Sequence, residues 1–584
     1  MSEPLSTPQS RRRFVLGAGA AMGAGAIGRP LWARAEGEAA GPAVLTGDTF
    51  DLVVGEVPVN ITGRRRLATG VNGRSPGPVL KFREGETATI RVTNRLKEPT
   101  SIHWHGFRLP AAMDGVPGLS FAGIMPGESF TYRFPIVQGG TYFYHSHSGM
   151  QEQTGLYGAA LIAPKGTEPY AYDRDYVIVL ADWTDEDPMR IMANLKQESD
   201  YFDRHRRTLG DFITDARAMG VHSAWEDWSM WASMRMSPSD VMDVNGSTYT
   251  FLINGQPPAA NWTGLFHPGE KVRLRVINAA AMSTFDVRIP GLPMRVVAAD
   301  GSDVQPIEVD EFRIGVAETY DVVVEPKDAA YTFFAQAQDR SGFARATLAP
   351  RAGMTAPVPA MDPRPLRTMA DMDMSAMSGM KRMDMAKSES MAGMDMAKAG
   401  AMAAMPGIGR NADGVDPATL RGTPSVDNVD TAAQSRLSEA GDGLDHDGRK
   451  ALTYADLKAL RPAAASRPVD REIEFHLTGN MQRWIWGFDG KKFSEAKPVH
   501  VTLGERVRFI LINDTMMEHP IHLHGFLFEL ENGQDAPPVK HTVNVKPNER
   551  VSLVYTADTP GYWAFHCHLM FHMESGMFRT VVVA

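Results

Sequence analysis

The chain closes on His566-Cys567-His568-Leu569-Met570-Phe571-His572-Met573-Glu574-Ser575-Gly576-Met577, and this stretch decides how the rest is read. A thiolate, three imidazoles and a thioether in so short a span form a soft ligand set that suits copper, in the His-Cys-Met combination of a blue-copper electron-transfer site. Successive side chains of a β-strand point to opposite faces, so His566 and His568 share one face and Cys567 takes the other. One cysteine can then be wired to two metal centres.

Composition supports this by what it leaves out. Cys567 is the single cysteine of 584 residues, so there is no disulfide framework and no Cys-rich zinc site. A chain of this length exceeds one ordinary core, and several domains are expected. The net charge of -9 offers no basic footprint, so no nucleic-acid partner is expected. At the amino terminus, Ser10-Arg11-Arg12-Arg13-Phe14-Val15 precedes a Gly/Ala-rich, weakly apolar stretch to about Gly28, and Ala33-Arg34-Ala35 offers a small-x-small cleavage site. Residues 1–35 therefore resemble a twin-arginine signal peptide. No later stretch reaches the ~18 uninterrupted apolar residues of a membrane span. The expectation is a soluble exported protein without stable membrane insertion, most simply in a bacterial periplasm.

A weak internal repeat organises the remainder. EGETATIRVTN (Glu84 to Asn94), PGEKVRLRVIN (Pro268 to Asn278) and LGERVRFILIN (Leu503 to Asn513) share a Gly-Glu turn followed by an alternating strand that ends in Asn. Each is followed by a second strand pair. Period-2 alternation, Gly/Pro punctuation and few long 3.6-period stretches predict an all-β chain of Greek-key β-sandwiches. Three copies imply three sandwich domains, at about residues 42–165, 170–350 and 468–584, with a long Met-rich, flexible insertion and linker over 351–467.

The copies differ in chemistry. After the first strand, copy one carries His103-Trp104-His105-Gly106 and copy three His519-Pro520-Ile521-His522-Leu523-His524-Gly525. At the second strand, copy one carries His145-Ser146-His147 and copy three His566-Cys567-His568. Copy two has Ala281-Met282-Ser283-Thr284-Phe285 and Ala335-Gln336-Ala337 in those places, so domain two reads as a spacer without copper ligands.

Four such motifs, two at each end and one with an embedded cysteine, resemble the multicopper oxidase family in content and chain order. The resemblance covers nearly the whole chain after residue 35 and implies cupredoxin-like sandwiches holding four copper ions. It places a type 1 copper on His519, Cys567 and His572, with Met577 as weak axial ligand, and a type 2 copper on His103 and His522. The type 3 pair falls to His105, His145, His147, His524, His566 and His568. It implies that substrate is oxidised one electron at a time at type 1, and that electrons pass through Cys567 to the cluster, where O2 is reduced to water. The axial thioether favours a moderate potential. Asp114, in Met113-Asp114-Gly115-Val116-Pro117, is the candidate proton donor. Related bacterial oxidases often carry Glu directly after the last type 1 histidine, where this chain has Met573 and then Glu574.

Methionine points to the substrate. Twelve of the 34 methionines fall between Met369 and Met405, among them Met372, Met374, Met377, Met380, Met394 and Met396. Thioethers select Cu(I), so a tract this rich and this interrupted by Asp, Gly and Ser reads as copper-related. A second group, Met230, Met234, Met236 and Met242, lies among Trp225, Trp228 and Trp231 and reads as apolar contact. Bacterial cuprous oxidases hold a substrate copper beside the type 1 histidine through a Met and an Asp. Met517 matches that Met, Thr515 stands where the Asp would be, and Asp514 or Glu518 is left to supply a carboxylate. The remaining histidines, His205, His222, His267, His446, His476, His500 and His541, fit no motif and read as surface or structural.

The Met-rich insertion, the amino-terminal signal and the closing ligand stretch together resemble the copper-resistance protein A group of the family. The leading expectation is oxidation of Cu(I) to Cu(II) with O2 as acceptor, by a monomer. The alternatives are a laccase-like oxidase of phenols or Mn(II), and a copper-sequestering binding protein.

Overall fold

The computed structural model describes residues 42–584 apart from 235, 369–370, 372–413, 415, 431, 445–447 and 462–466. Six sheets assort into three pairs along the chain, each pair a β-sandwich. In each sandwich a strand of the Gly-Glu repeat, Thr87–Asn94, Val272–Asn278 or Arg506–Asn513, lies inside one sheet. The turns entering these strands need a left-handed residue, and Gly85, Gly269 and Gly504 supply it with φ of 93°, 86° and 84°.

The Asn that ends each repeat strand does the same work three times. Asn94, Asn278 and Asn513 are each fully buried. Each side-chain amide donates to two carbonyls: Glu98 and Ile124, Ser283 and Ile314, Met517 and Val545. Each carbonyl oxygen accepts the N–H two residues on, at Leu96, Ala280 or Thr515. This clamp fixes where the chain enters the next strand, which in domains one and three is the first histidine-bearing strand. There His103–His105 and His519–Leu523 pair antiparallel with the second histidine-bearing strands, Gly140–His145 and Gly561–Cys567. The register sets His103 opposite His145 and His522 opposite His566. In domain two the corresponding pairing sets Asp286 opposite Gln336.

Two regions depart from the sequence expectation. Domain two contains helices at Pro188–Gln197, Leu209–Met219 and Val221–Met234, inserted between strands Arg174–Trp183 and Thr250–Ile253. Leu209–Met219 carries Leu209, Phe212, Ile213 and Ala216 at helical spacing behind a Thr208/Asp211 capping box, yet none of its residues is buried. The second region is the Ala/Gly/Asp-rich half of the insertion, expected to be mobile with only its end docked, through Leu452-Thr453-Tyr454 and Leu457. Its described part is docked: Leu437, Leu452 and Leu457 lie in the core, and Ala451 and Ala459 bridge to Glu311 and Val304. Asp442, in the same segment, forms an ion pair with Arg367 at 2.6 Å. The signal segment and Met372, Met374, Met377, Met380, Met394 and Met396 lie outside the described residues.

Domain two is joined to domain three and to the insertion by buried charge. Arg313 reaches Asp286 at 2.8 Å and Glu518 at 3.1 Å, and donates to the Asp442 carbonyl at 2.7 Å. Removing one member strands the others without solvent. Arg313→Ala is therefore expected to destabilise the protein by about 3–5 kcal/mol, read as a lower denaturation midpoint in urea.

Candidate metal centres

The closing ligand stretch folds as sequence chemistry requires. His566 and Cys567 end strand Gly561–Cys567, and a short helix, Met570–Glu574, carries His572 back towards Cys567. Cys567 Sγ lies 3.5 Å from His519 Nδ1 and 3.8 Å from His572 Nδ1, and the two nitrogens are 3.2 Å apart. All three residues are fully buried, as is Met577, whose backbone carbonyl accepts the Cys567 N–H. Trp486 stacks on the His572 ring at 3.8 Å. Burial pushes the Cys567 thiol above its ordinary pKa, so a cation would be needed to hold the thiolate.

On the opposite face of the same strand, eight histidines converge from domains one and three. His105, His145 and His568 form one triad, and His147, His524 and His566 a second. His103 and His522 meet beside His105. The nitrogens approach to 2.9 Å between His524 and His566, and to 3.3 Å between His145 and His568. Burial first, then mutual repulsion, keeps His105, His147, His522 and His524 well below the ordinary histidine pKa. His566 is pushed down to about 3. These rings are neutral at physiological pH, as ligation demands.

The outward nitrogens are anchored and several inward ones are free. His103 Nδ1 meets the Asp114 carbonyl at 2.8 Å, His522 Nδ1 the His541 carbonyl at 2.7 Å, and His566 Nδ1 the Cys567 carbonyl at 2.9 Å. His524 Nδ1 meets Asp114 Oδ2 at 2.9 Å, and His145 Nδ1 meets Glu152 Oε2 at 3.2 Å. His103 Nε2, His105 Nδ1, His147 Nε2 and His522 Nε2 are buried without any hydrogen-bond partner. Buried imidazole nitrogens that converge without partners are costly unless they face cations, so the donor set fits soft or borderline metal ions such as copper.

The multicopper oxidase family matches residues 53–167, 174–353 and 466–584. Copper resistance protein A of Pseudomonas syringae pv. tomato is 52% identical over 98% of this chain and 99% of its own length. The chain belongs to the multicopper oxidase family. Copper resistance protein A of Escherichia coli is 50% identical over 98% of this chain and 99% of its own. Among solved structures, the multicopper oxidase from Pseudomonas thermotolerans superposes with a TM-score of 0.56 at 21% identity, covering 93% of this chain and 100% of that one. The laccase from Botrytis aclada gives 0.59 at 20%, covering 93% and 88%. At such identities these two bear on the fold alone, which is cupredoxin-like in all three domains.

Several groups around the centres carried no signal in the sequence of this multicopper oxidase. Domain two is more than a spacer: its Asp243 meets His572 Nε2 at 3.0 Å. Glu152, 4% exposed, sits against His145 and His568. His541, read as surface or structural, is fully buried with Nδ1 3.2 Å from His105 Nε2. Gly106 makes room for it, since a Cβ there would stand 2.5 Å from His541 Cδ2.

The other candidate groups are placed as follows. Asp114 is 1% exposed and touches both His103 and His524. Met573 sits among Val116, Leu119, Ala564 and Phe578, while Glu574 lines a cleft of about 600 Å³ that reaches His147. Thr515 Oγ1 meets His519 Nε2 at 2.7 Å. Glu518 is taken up by Arg313, Gln338 and Asn544. Met517 is buried and lines a cavity of about 50 Å³ with Met516, Met481, Met236, Asp240 and Arg367.

Asp514 pairs with His476 at 2.8 Å, and Glu474 lies 3.5 Å from the same ring. Burial opposes charge on His476, but these carboxylates outweigh it and hold its pKa up to about 10, from an ordinary 6.5. A raised folded-state pKa contributes stability that is complete below about pH 6.5 and lost as pH rises through about 10. Denaturation midpoints measured across that window are expected to fall with rising pH, and His476→Gln is expected to flatten the slope.

Proposed function

We propose that this multicopper oxidase is a periplasmic cuprous oxidase acting in copper resistance. Four Cu(I) ions would give up one electron each, and O2 with four protons would be reduced to two waters. The observation that carries the substrate reading is a small cavity lined by Met236, Met481, Met516 and Met517 together with Asp240 and Arg367, its Met517 two residues before His519 in the chain. Thioethers select Cu(I) over harder cations. A cavity of about 50 Å³ admits an ion and is too small for a phenol ring. The relatives named copper resistance protein A support the same reading.

In this reading His519, Cys567, His572 and Met577 would hold a type 1 copper. His103 and His522 would hold a type 2 copper, and the triads His105, His145, His568 and His147, His524, His566 would hold the type 3 pair. Bound copper would supply one-electron oxidation at the thiolate site and four-electron reduction of O2 at the histidine cluster. The chain's own residues do the rest. Cys567 lies between His566 and His568, so the two centres would be joined by a covalent path through the backbone of adjacent residues. Asp114, hydrogen-bonded to His524 Nδ1, is placed to hold a proton next to the cluster. The cleft that reaches His147 offers O2 and water a route, with Glu574 on its wall.

Export by the twin-arginine pathway is supported by the Arg11-Arg12-Arg13 segment and its cleavage site. Among the described residues no helix is long and apolar enough to cross a membrane. Both halves of the histidine cluster belong to one chain, so a monomer suffices.

Oxygen uptake by the copper-loaded protein, with Cu(I) and a phenol measured side by side, tests the substrate. Cu(I) is expected to be turned over faster. Cys567→Ser is expected to abolish uptake with either donor, while bound copper persisting in the Met-rich tract of that variant would mark a separate store. Met516→Leu with Met517→Leu is expected to raise KM for Cu(I) about tenfold, the loss of roughly 1.4 kcal/mol of binding, and to spare the phenol. Deleting residues 369–405 is expected to lower Cu(I) turnover or affinity. Equal effects on both donors would refute the Cu(I) site.

A further inference from the structure

The two histidines of the proposed type 1 site are backed by different groups. His519 Nε2 meets the neutral hydroxyl of Thr515 at 2.7 Å. His572 Nε2 meets a carboxylate, Asp243 Oδ2, at 3.0 Å, and neither side chain is more than 1% exposed. The second carboxylate oxygen, Asp243 Oδ1, is buried without a hydrogen-bond partner. The His572 ring thus spans from Cys567 Sγ on its Nδ1 side to Asp243 on its Nε2 side.

Asp243 is held firmly where it is. It follows helix Val221–Met234 in a segment whose Val241, Met242 and Val244 are buried. The segment is tied down by Asn245 Nδ2 donating to the Phe202 carbonyl at 3.1 Å and by Gly246 N–H donating to Ser341 Oγ at 2.7 Å. The carboxylate therefore cannot swing away from His572 without dislodging buried side chains. Its charge acts through a dry interior, where it is poorly screened.

A carboxylate accepting from the outer N–H of a ligating imidazole fixes the ring's tautomer and raises its basicity. A more basic ligand favours Cu(II) over Cu(I), so an outer-shell hydrogen bond of this kind tunes the metal. We propose that Asp243 is a positioning residue contributed by domain two, which locks His572 with Nδ1 inward and holds the type 1 reduction potential down. The inference rests on the ligand assignment under Proposed function. Domain two, without a histidine in either centre, then decides how readily the centre takes an electron from substrate.

Redox titration of the thiolate-to-copper absorption band in the full copper-loaded chain tests this. In Asp243→Asn the band is expected to persist, with its midpoint raised by about 59 mV, a tenfold change in the ratio of oxidised to reduced site for a one-electron couple. An unchanged midpoint with the band intact would overturn the proposal. A second measurement needs no variant: pulsed EPR of the wild-type type 1 copper should find the remote nitrogens of His519 and His572 inequivalent. Equivalent remote nitrogens would also overturn it. Absence of the band from the copper-loaded wild-type protein would instead overturn the ligand assignment itself.

Discussion

Eight imidazoles, four from each end of the chain, share one buried volume, and the molecule is arranged around making that tolerable. Neutral rings in such a volume each present two nitrogens, and either nitrogen left bare costs free energy. The fold answers half of this demand by anchoring outer nitrogens on Asp114, Glu152, the Cys567 carbonyl and the His541 carbonyl. The inner nitrogens of His103, His105, His147 and His522 remain for metal. The cluster can exist only when domains one and three close on each other, because neither supplies more than half of it.

Domain two makes that closure rigid. Its Arg313 pairs with Glu518, directly before the ligand His519. Its Asp300 accepts the backbone N–H groups of His541 and Thr542, which flank His105 and His522, and pairs with buried Lys540 at 3.1 Å. Its Asp243 backs His572. A buried ion pair is weak evidence for stability, yet breaking one is costly, so these contacts tolerate few alternative arrangements.

Much of this was legible in the sequence, and for identifiable reasons. Strand alternation and the recurring Gly-Glu turn are local, so the sandwiches could be read from short windows. The HxH pairs and the HCH triplet combine local spacing with uncommon residue types, so the candidate ligands stood out. What escaped reading has no local signature. Asp243 lies 329 residues from His572, and nothing in its neighbourhood distinguishes it from other aspartates. His541 lacks an HxH partner, and its burial follows from the closeness of Gly106. Helix Leu209–Met219 is the exception, with Leu209, Phe212, Ile213 and Ala216 at helical spacing behind a Thr208/Asp211 capping box.

The sequence by itself determined which side chains can bind soft metal, that they divide between the two ends of the chain, and that the intervening copy has no histidine at the corresponding positions. Those conclusions need only residue identity and strand parity. Tertiary structure decided which nitrogens face each other and which are backed by carbonyl, hydroxyl or carboxylate. It also decided that Met236, Met481, Met516 and Met517 share one cavity with Asp240. Proximity between residues hundreds of positions apart is a property of how three sandwiches close, and no single window of the chain encodes it.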